Sequence, residues 1–149
     1  MKRLWLGLSV AVAGLACSDA TGPAELNGIY EYTAMDPAGT VLLLGQLDLT
    51  LHDDSTVTGS WIIGWAQDAD QTTEVGPQVG EGTLLGLLAA DGVVLGLNPN
   101  VADDNVFLSG AFDLESLPPG LVGEWTYSTL IGPVAAGRFT AANRPLLPE

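Results

Sequence analysis

One histidine, one cysteine and eighteen carboxylates are the side chains through which this 149-residue chain could do chemistry. His52 stands beside Asp53 and Asp54 in the stretch Leu47 to Trp65, so imidazole and carboxylates are at least close in sequence. A Ser-His-Asp or Cys-His centre would have to be built on that single ring, and the sequence has neither a Gly-x-Ser-x-Gly elbow nor a zinc-type histidine cluster. Asp53 and Asp54 are therefore read as solvated turn residues, and the chain is expected to be no enzyme and to carry no cofactor. Two polar stretches offer the hard oxygen ligands that calcium takes: Asp68, Asp70 and Glu74, and then Asn98, Asn100, Asp103, Asp104 and Asn105. The first lacks the glycine and terminal glutamate of an EF-hand loop, and polar residues in surface turns need no metal, so no metal site is expected in either.

Cys17 is defined by its position. No second cysteine exists to pair with it. It follows a basic start, Lys2 and Arg3, and an apolar run from Leu4 to Ala16 broken only by Gly7, Ser9 and Gly14. That run is shorter than the roughly 20 residues needed to span hydrocarbon. Its place behind positive charge at the N-terminus marks residues 1–16 as a secretory signal. The residues Gly14-Leu15-Ala16-Cys17 resemble the lipobox of bacterial lipoproteins, in which the cysteine thiol receives a diacylglycerol and becomes the new N-terminus after cleavage. The chain departs from that pattern at Gly14, where Leu, Val or Ile is usual, and at Leu15, where a smaller residue is usual. Plain cleavage after Ala16 and secretion stay open as the alternative. What the resemblance implies is a lipid on Cys17 that holds the domain to a membrane of the cell envelope, facing the periplasm or the exterior. Ser18, rather than Asp, next to the cysteine resembles lipoproteins sorted to the outer membrane of two-membrane bacteria.

Charge narrows the partners. Loss of residues 1–16 removes Lys2 and Arg3, taking Lys and Arg from 4 to 2 while all 18 acids stay, a formal charge near −16 against −14 for the whole chain. Only Arg138 and Arg144 remain, which excludes nucleic acid and any basic patch for anionic headgroups. With 47% apolar residues the chain is too hydrophobic for a disordered acidic tail. About 130 mature residues suit one domain with one core. The expected organisation is a cysteine and polar tether over 17–25, a domain over 26–141 and a tail over 142–149.

Period-2 alternation dominates that domain, as half-buried strands require. Leu26, Gly28, Tyr30 and Tyr32 share one face. Leu47, Leu49 and Leu51 form the next, and Val57, Gly59, Trp61, Ile63 and Trp65 the third, after the acidic turn Asp53-Asp54-Ser55. The segment Ala66 to Gly80 has no apolar periodicity and reads as the longest loop. Strands are expected again over 82–89 and 93–97, joined at Asp91-Gly92, a pair that tolerates the positive φ of a type I′ turn. Further strands are expected over 106–114, 121–128 and 134–141. Eight strands on short connections predict an antiparallel up-and-down meander closed into a barrel, with a two-sheet sandwich as the alternative.

A Gly-x-aromatic step occurs five times, at Gly28-Ile29-Tyr30, Gly59-Ser60-Trp61, Gly110-Ala111-Phe112, Gly123-Glu124-Trp125 and Gly137-Arg138-Phe139. A glycine on the inner wall leaves room for a ring from a neighbouring strand and lets the strand coil, so Tyr30, Tyr32, Trp61, Trp65, Phe112, Trp125, Tyr127 and Phe139 are expected inside. Leu26-Asn-Gly-Ile-Tyr30 resembles the Gly-x-Trp opening strand of the calycin group, the lipocalins and avidins, with Tyr30 in place of Trp. Val57-Thr-Gly-Ser-Trp61 is similar to avidin-type strands. The resemblance covers residues 26 to 141 and implies an up-and-down barrel; the later Arg and paired cysteines of lipocalins are not evident, and no ligand site is carried over. Should the barrel hold a small apolar ligand, Tyr30, Tyr32, Trp61, Trp65, Trp125 and Tyr127 would line its site. The expected function is accordingly a non-enzymatic envelope lipoprotein that binds such a ligand or serves a structural role. The alternative is a protein-recognition module, such as an inhibitor of a basic secreted hydrolase.

Overall fold

The computed structural model describes residues 26–90, 92–98, 103–113, 115 and 119–144. The expected signal, Cys17 and the tether lie outside these residues, as do Asp91, Asn100 and residues 145–149.

Eight strands follow one another in chain order: β1 (Gly28–Met35), β2 (Val41–Leu51), β3 (Thr56–Trp65), β4 (Gly80–Leu88), β5 (Gly92–Leu97), β6 (Asp104–Asp113), β7 (Gly120–Thr129) and β8 (Gly132–Asn143). Each pairs antiparallel with the next, and β8 pairs with β1, so the sheet closes into an up-and-down barrel. Closure leaves no sheet edge free for another chain. The inward residues are apolar and buried, among them Leu47 and Leu49, Val57 and Ile63, Leu95 and Leu97, and Val106 and Leu108. One belt crosses four strands in register, Tyr30 to Leu47 to Trp61 to Gly82.

The repeated glycines do two different jobs. Trp61 lies directly opposite Gly82, and Trp125 directly opposite Gly137. A Cβ added at Gly82 would stand 2.9 Å from the Trp61 ring, one at Gly137 2.6 Å from Trp125 Nε1, and one at Gly110 2.8 Å from Phe139. Here a ring takes the missing side chain's place, joined by Asn98 Oδ1 at Gly82 and by the Met35 carbonyl at Gly137. At Gly59 and Gly123 the space is taken by backbone of the adjoining strand instead, at Asp48 and Ser109, so those glycines permit the tight coiling of the wall.

Several boundaries differ from the sequence reading. β2 begins at Val41, where Leu42 and Leu43 are both buried and strict alternation fails; Leu42 O accepts from Ala66 N at 2.9 Å as the strand meets the long loop. β8 continues to Asn143, two residues past the expected end of the domain. Gly92 does not take positive φ in a turn; it is the first residue of β5, opposite Ala111, and the wall there approaches too closely for a Cβ. The positive-φ position of a short turn falls instead at Ser55, φ 67°, after Asp53-Asp54.

Closure also defines two ends. One end, called the tether end after the segment expected over 17–25, carries Leu26 and Asn27, the 52–55 turn, the ends of β4 and β6, and the last residues of β8. Leu26 is fully buried there, and Asn27 Oδ1 accepts from Leu51 N at 2.6 Å, fixing the chain as it enters. The far end carries the 36–40, 66–79 and 98–103 loops and the β7–β8 turn at Leu130-Ile131.

Candidate functional site

Of the six aromatic residues proposed for an internal site, Tyr30, Tyr32, Trp61 and Trp125 are buried in the core, and Trp65 and Tyr127 pack against it half-buried. They lie in the barrel interior together with Phe139, whose ring stacks on Tyr32 at a centroid separation of 5.8 Å. Both buried indoles have partners: Trp61 Nε1 donates to Thr83 O at 3.2 Å, and Trp125 Nε1 to Met35 O at 3.0 Å. The rings are thus fixed by the wall's own carbonyls, the way buried tryptophan is ordinarily satisfied.

Over the far mouth of this interior folds the segment 66–79. Its Val75 and Gln78 are buried, and Gln78 is fully so. Tyr32 Oη donates to Gln78 Oε1 at 2.9 Å, while Gln78 Nε2 donates to Val75 O at 2.7 Å. Burial pushes the Tyr32 hydroxyl well above its ordinary value, because the phenolate would lose its water. Gly76, φ 64°, lies flat under the Tyr127 ring, closer than any side chain would allow. Asn98 Nδ2 secures the loop from β5 by donating to Pro77 O at 3.3 Å. The sequence reads here as a polar loop, and its one signal of an inward turn is Val75-Gly-Pro-Gln78, an apolar residue and a turn within a polar run.

The acidic residues cap turns. Asp36 Oδ1 accepts from Thr40 N, Asp54 Oδ1 from Thr56 N, and Asp70 Oδ1 from both Thr72 N and Thr72 Oγ1. Those hydrogen bonds hold all three carboxyls below the usual carboxylate range. Glu74 Oε1 likewise accepts from Gly76 N. Among the described residues no group of three or more His, Cys, Asp or Glu side chains converges as a metal would require. Tyr127 is raised chiefly by its hydrogen bond to the Asp104 carboxylate. His52 lies outside the barrel as expected, with Nε2 2.7 Å from Thr58 Oγ1.

One far-end feature escaped the sequence reading altogether. The β7–β8 turn presents Leu130 and Ile131, which are 79% and 97% exposed. β1 pairs with β8 only from Arg138 onward, so the first six residues of β8 run past β1 and the hairpin projects. Loops carrying Asp36, Asp68, Asp70, Glu74 and Asp103 share that end with Asp104, the first residue of β6. Arg138, beside it, donates to Pro37 O at 3.1 Å.

No protein-family model, no curated protein and no solved structure matches this chain.

Proposed function

We propose that this protein is a non-enzymatic bacterial envelope lipoprotein, anchored through Cys17, whose calycin-like barrel recognises another protein with its far end. The observation that carries the reading is the exposed Leu130-Ile131 finger. An apolar pair at a turn tip, where Asn, Asp or Gly serve folding better, is explained by contact with something apolar. Six carboxylates at the same end favour a cationic partner and would speed its approach. A basic secreted hydrolase, offering an apolar cleft among lysines and arginines, fits both features.

The interior argues less well for a small-ligand site. Its rings occupy the spaces at Gly82, Gly110 and Gly137, and the Tyr32–Gln78 bond holds the far mouth shut. The wall's outward residues include exposed Glu31, Asp48, Glu81 and Glu124. Charges at mid-strand are costly against lipid, which favours a domain in water beside the membrane over one embedded in it. Chain direction supports the orientation, since the tether enters at the end opposite the finger.

Lysozyme is the first cationic hydrolase to test. Binding to the chain is expected at low ionic strength, weakened by salt and lost in Leu130→Ser/Ile131→Ser. Tryptophan fluorescence titrated with apolar compounds is expected to stay flat; saturable quenching of the inward rings would reinstate the ligand reading. For the anchor, metabolic labelling with a fatty-acid analogue is expected in the wild type, and a label retained by Cys17→Ser would sink it.

A further inference from the structure

The outer wall of β1 to β4 carries an open groove. Two rows of outward residues meet there. Ile29, Asp48 and Ser60 are in register on β1, β2 and β3; two residues along, Gln46, Ile62 and Glu81 are in register on β2, β3 and β4. These six side chains border a groove of about 610 Å³, within the size range of small-molecule sites. Ser60, the shortest of the six, keeps its floor low. Two of the six are carboxylates, and two are aliphatic. Among the described residues Arg144 pairs with Glu31 at 3.9 Å and Arg138 donates to Pro37 O, which leaves no arginine for Asp48 or Glu81. The domain has no lysine to serve in their place. The groove therefore joins uncompensated negative charge to an apolar surface, and charge complementarity calls for a cation that is itself partly apolar.

We propose that this groove binds a linear aliphatic polyamine. Other cations meet only part of it. A metal ion needs its ligands to converge, but Asp48 and Glu81 lie two strands apart, about 10 Å across the ladder. Among the described residues no three acidic or histidine side chains meet. A quaternary ammonium is best held by an aromatic face, and the Trp61 ring is buried inside the barrel. An extended basic peptide would add to a free strand edge, which closure removes. A chain of methylenes with an ammonium at each end matches the groove along its length. Its ends pair with Asp48 and Glu81, its methylenes lie along Ile62, and the Ser60 hydroxyl accepts from a secondary amine between them. Ile29 and Gln46 border the Asp48 end. Both ion pairs are exposed to water, so the affinity is modest and sensitive to salt.

Isothermal titration of the chain from residue 18 onward, which holds the whole closed barrel, with spermidine tests this. One saturable site with a dissociation constant of about 0.1–1 mM at low ionic strength is expected. Ser60→Leu fills the floor without changing charge and is expected to weaken binding at least fivefold. Asp48→Asn/Glu81→Gln should weaken it at least as much. Asp53→Asn/Glu124→Gln removes two charges elsewhere on the surface and should leave it within twofold. Hexaamminecobalt(III), which equals spermidine in charge but has no methylenes, should bind at least fivefold more weakly. The far-ultraviolet spectrum of each variant checks that the barrel remains intact. No saturable binding, equal loss in the two charge variants, full affinity in Ser60→Leu, or equal affinity for the cobalt complex would each overturn the proposal.

Discussion

At the tether end one buried leucine stands beside a short polar turn, whereas at the far end a fourteen-residue loop folds inward and a hairpin tip projects outward. Leu26 at the first end is buried against the core, and the adjoining turn at 52–55 is polar with Asp54 as its cap. Leu26 and Asp54 both serve folding there, although Ser55 holds a φ of 67° without being a glycine. The far end uses a buried glutamine as its stopper and leaves Leu130 and Ile131 in water. Natural sequences break local rules mainly where another requirement intervenes, and under the function proposed above that requirement at the far end is recognition.

The contrast breaks most directly at the tether end. Leu26→Ala removes a fully buried side chain at the point where the chain enters the barrel, and a loss of about 2–5 kcal/mol is expected from the denaturation midpoint. An unchanged midpoint would mean that Leu26 does not close this end. At the far end the comparable change is Gln78→Ala, which strands the buried Tyr32 hydroxyl and is expected to cost about 1–3 kcal/mol. The two should also differ in kind. Loss of Gln78 should raise amide exchange in 66–79 before the strands open, because that loop lies outside the strand ladders and can open locally, whereas loss of Leu26 should lower protection of the whole barrel.

Alkali sharpens the same comparison, since the far-end stopper is bonded to a tyrosine. The folded barrel holds the Tyr32 proton well above its ordinary value, while the unfolded chain gives it up near about pH 10. Stability is therefore unaffected by this group below that pH and falls above it, by about 1.4 kcal/mol per pH unit for the one proton. Tyr127, raised through Asp104, adds to the decline in the same direction. Unfolding of Tyr32→Phe followed between pH 9 and 11 should show a shallower slope than wild type, despite its lower starting stability. Equal slopes would mean that Tyr32 ionises in the folded protein as easily as in water.

Strands were legible in the sequence because alternation is written into every residue. Val57 to Trp65 could be placed on two faces from side-chain type alone, and the structure buries Val57, Trp61 and Ile63 while Ile62 faces out. The meander followed from short connections, and the inward rings followed from glycine spacing. Three things did not follow. Leu42 and Leu43 are buried together, so period 2 concealed the start of β2. Gln78 is a polar residue in a polar run, and only the three-dimensional closure of the barrel gives it a buried partner 46 positions away. Leu130 and Ile131 fall in the connection expected between the strands over 121–128 and 134–141, and only the β7–β8 register, which pairs Thr129 with Gly132, puts them at an exposed tip.

The smallest expected effect is the one that decides the far end's role. Leu130→Ser/Ile131→Ser changes two side chains that touch little of the barrel, so thermal and chemical midpoints should move by no more than about 0.5 kcal/mol. A turn of serines suits the connection as well or better, and a slight gain in stability would itself show that the apolar pair was not retained for folding. Binding to a cationic partner should nevertheless fall at least tenfold, and most of that loss should be in the dissociation rate, because the far-end carboxylates that steer approach are untouched. Neutralising Asp68 and Asp70 should do the opposite, slowing association and flattening its salt dependence with little effect on release. A finger variant with clearly lower stability would make Leu130 and Ile131 part of the fold, and the difference between the two ends would then be one of shape alone.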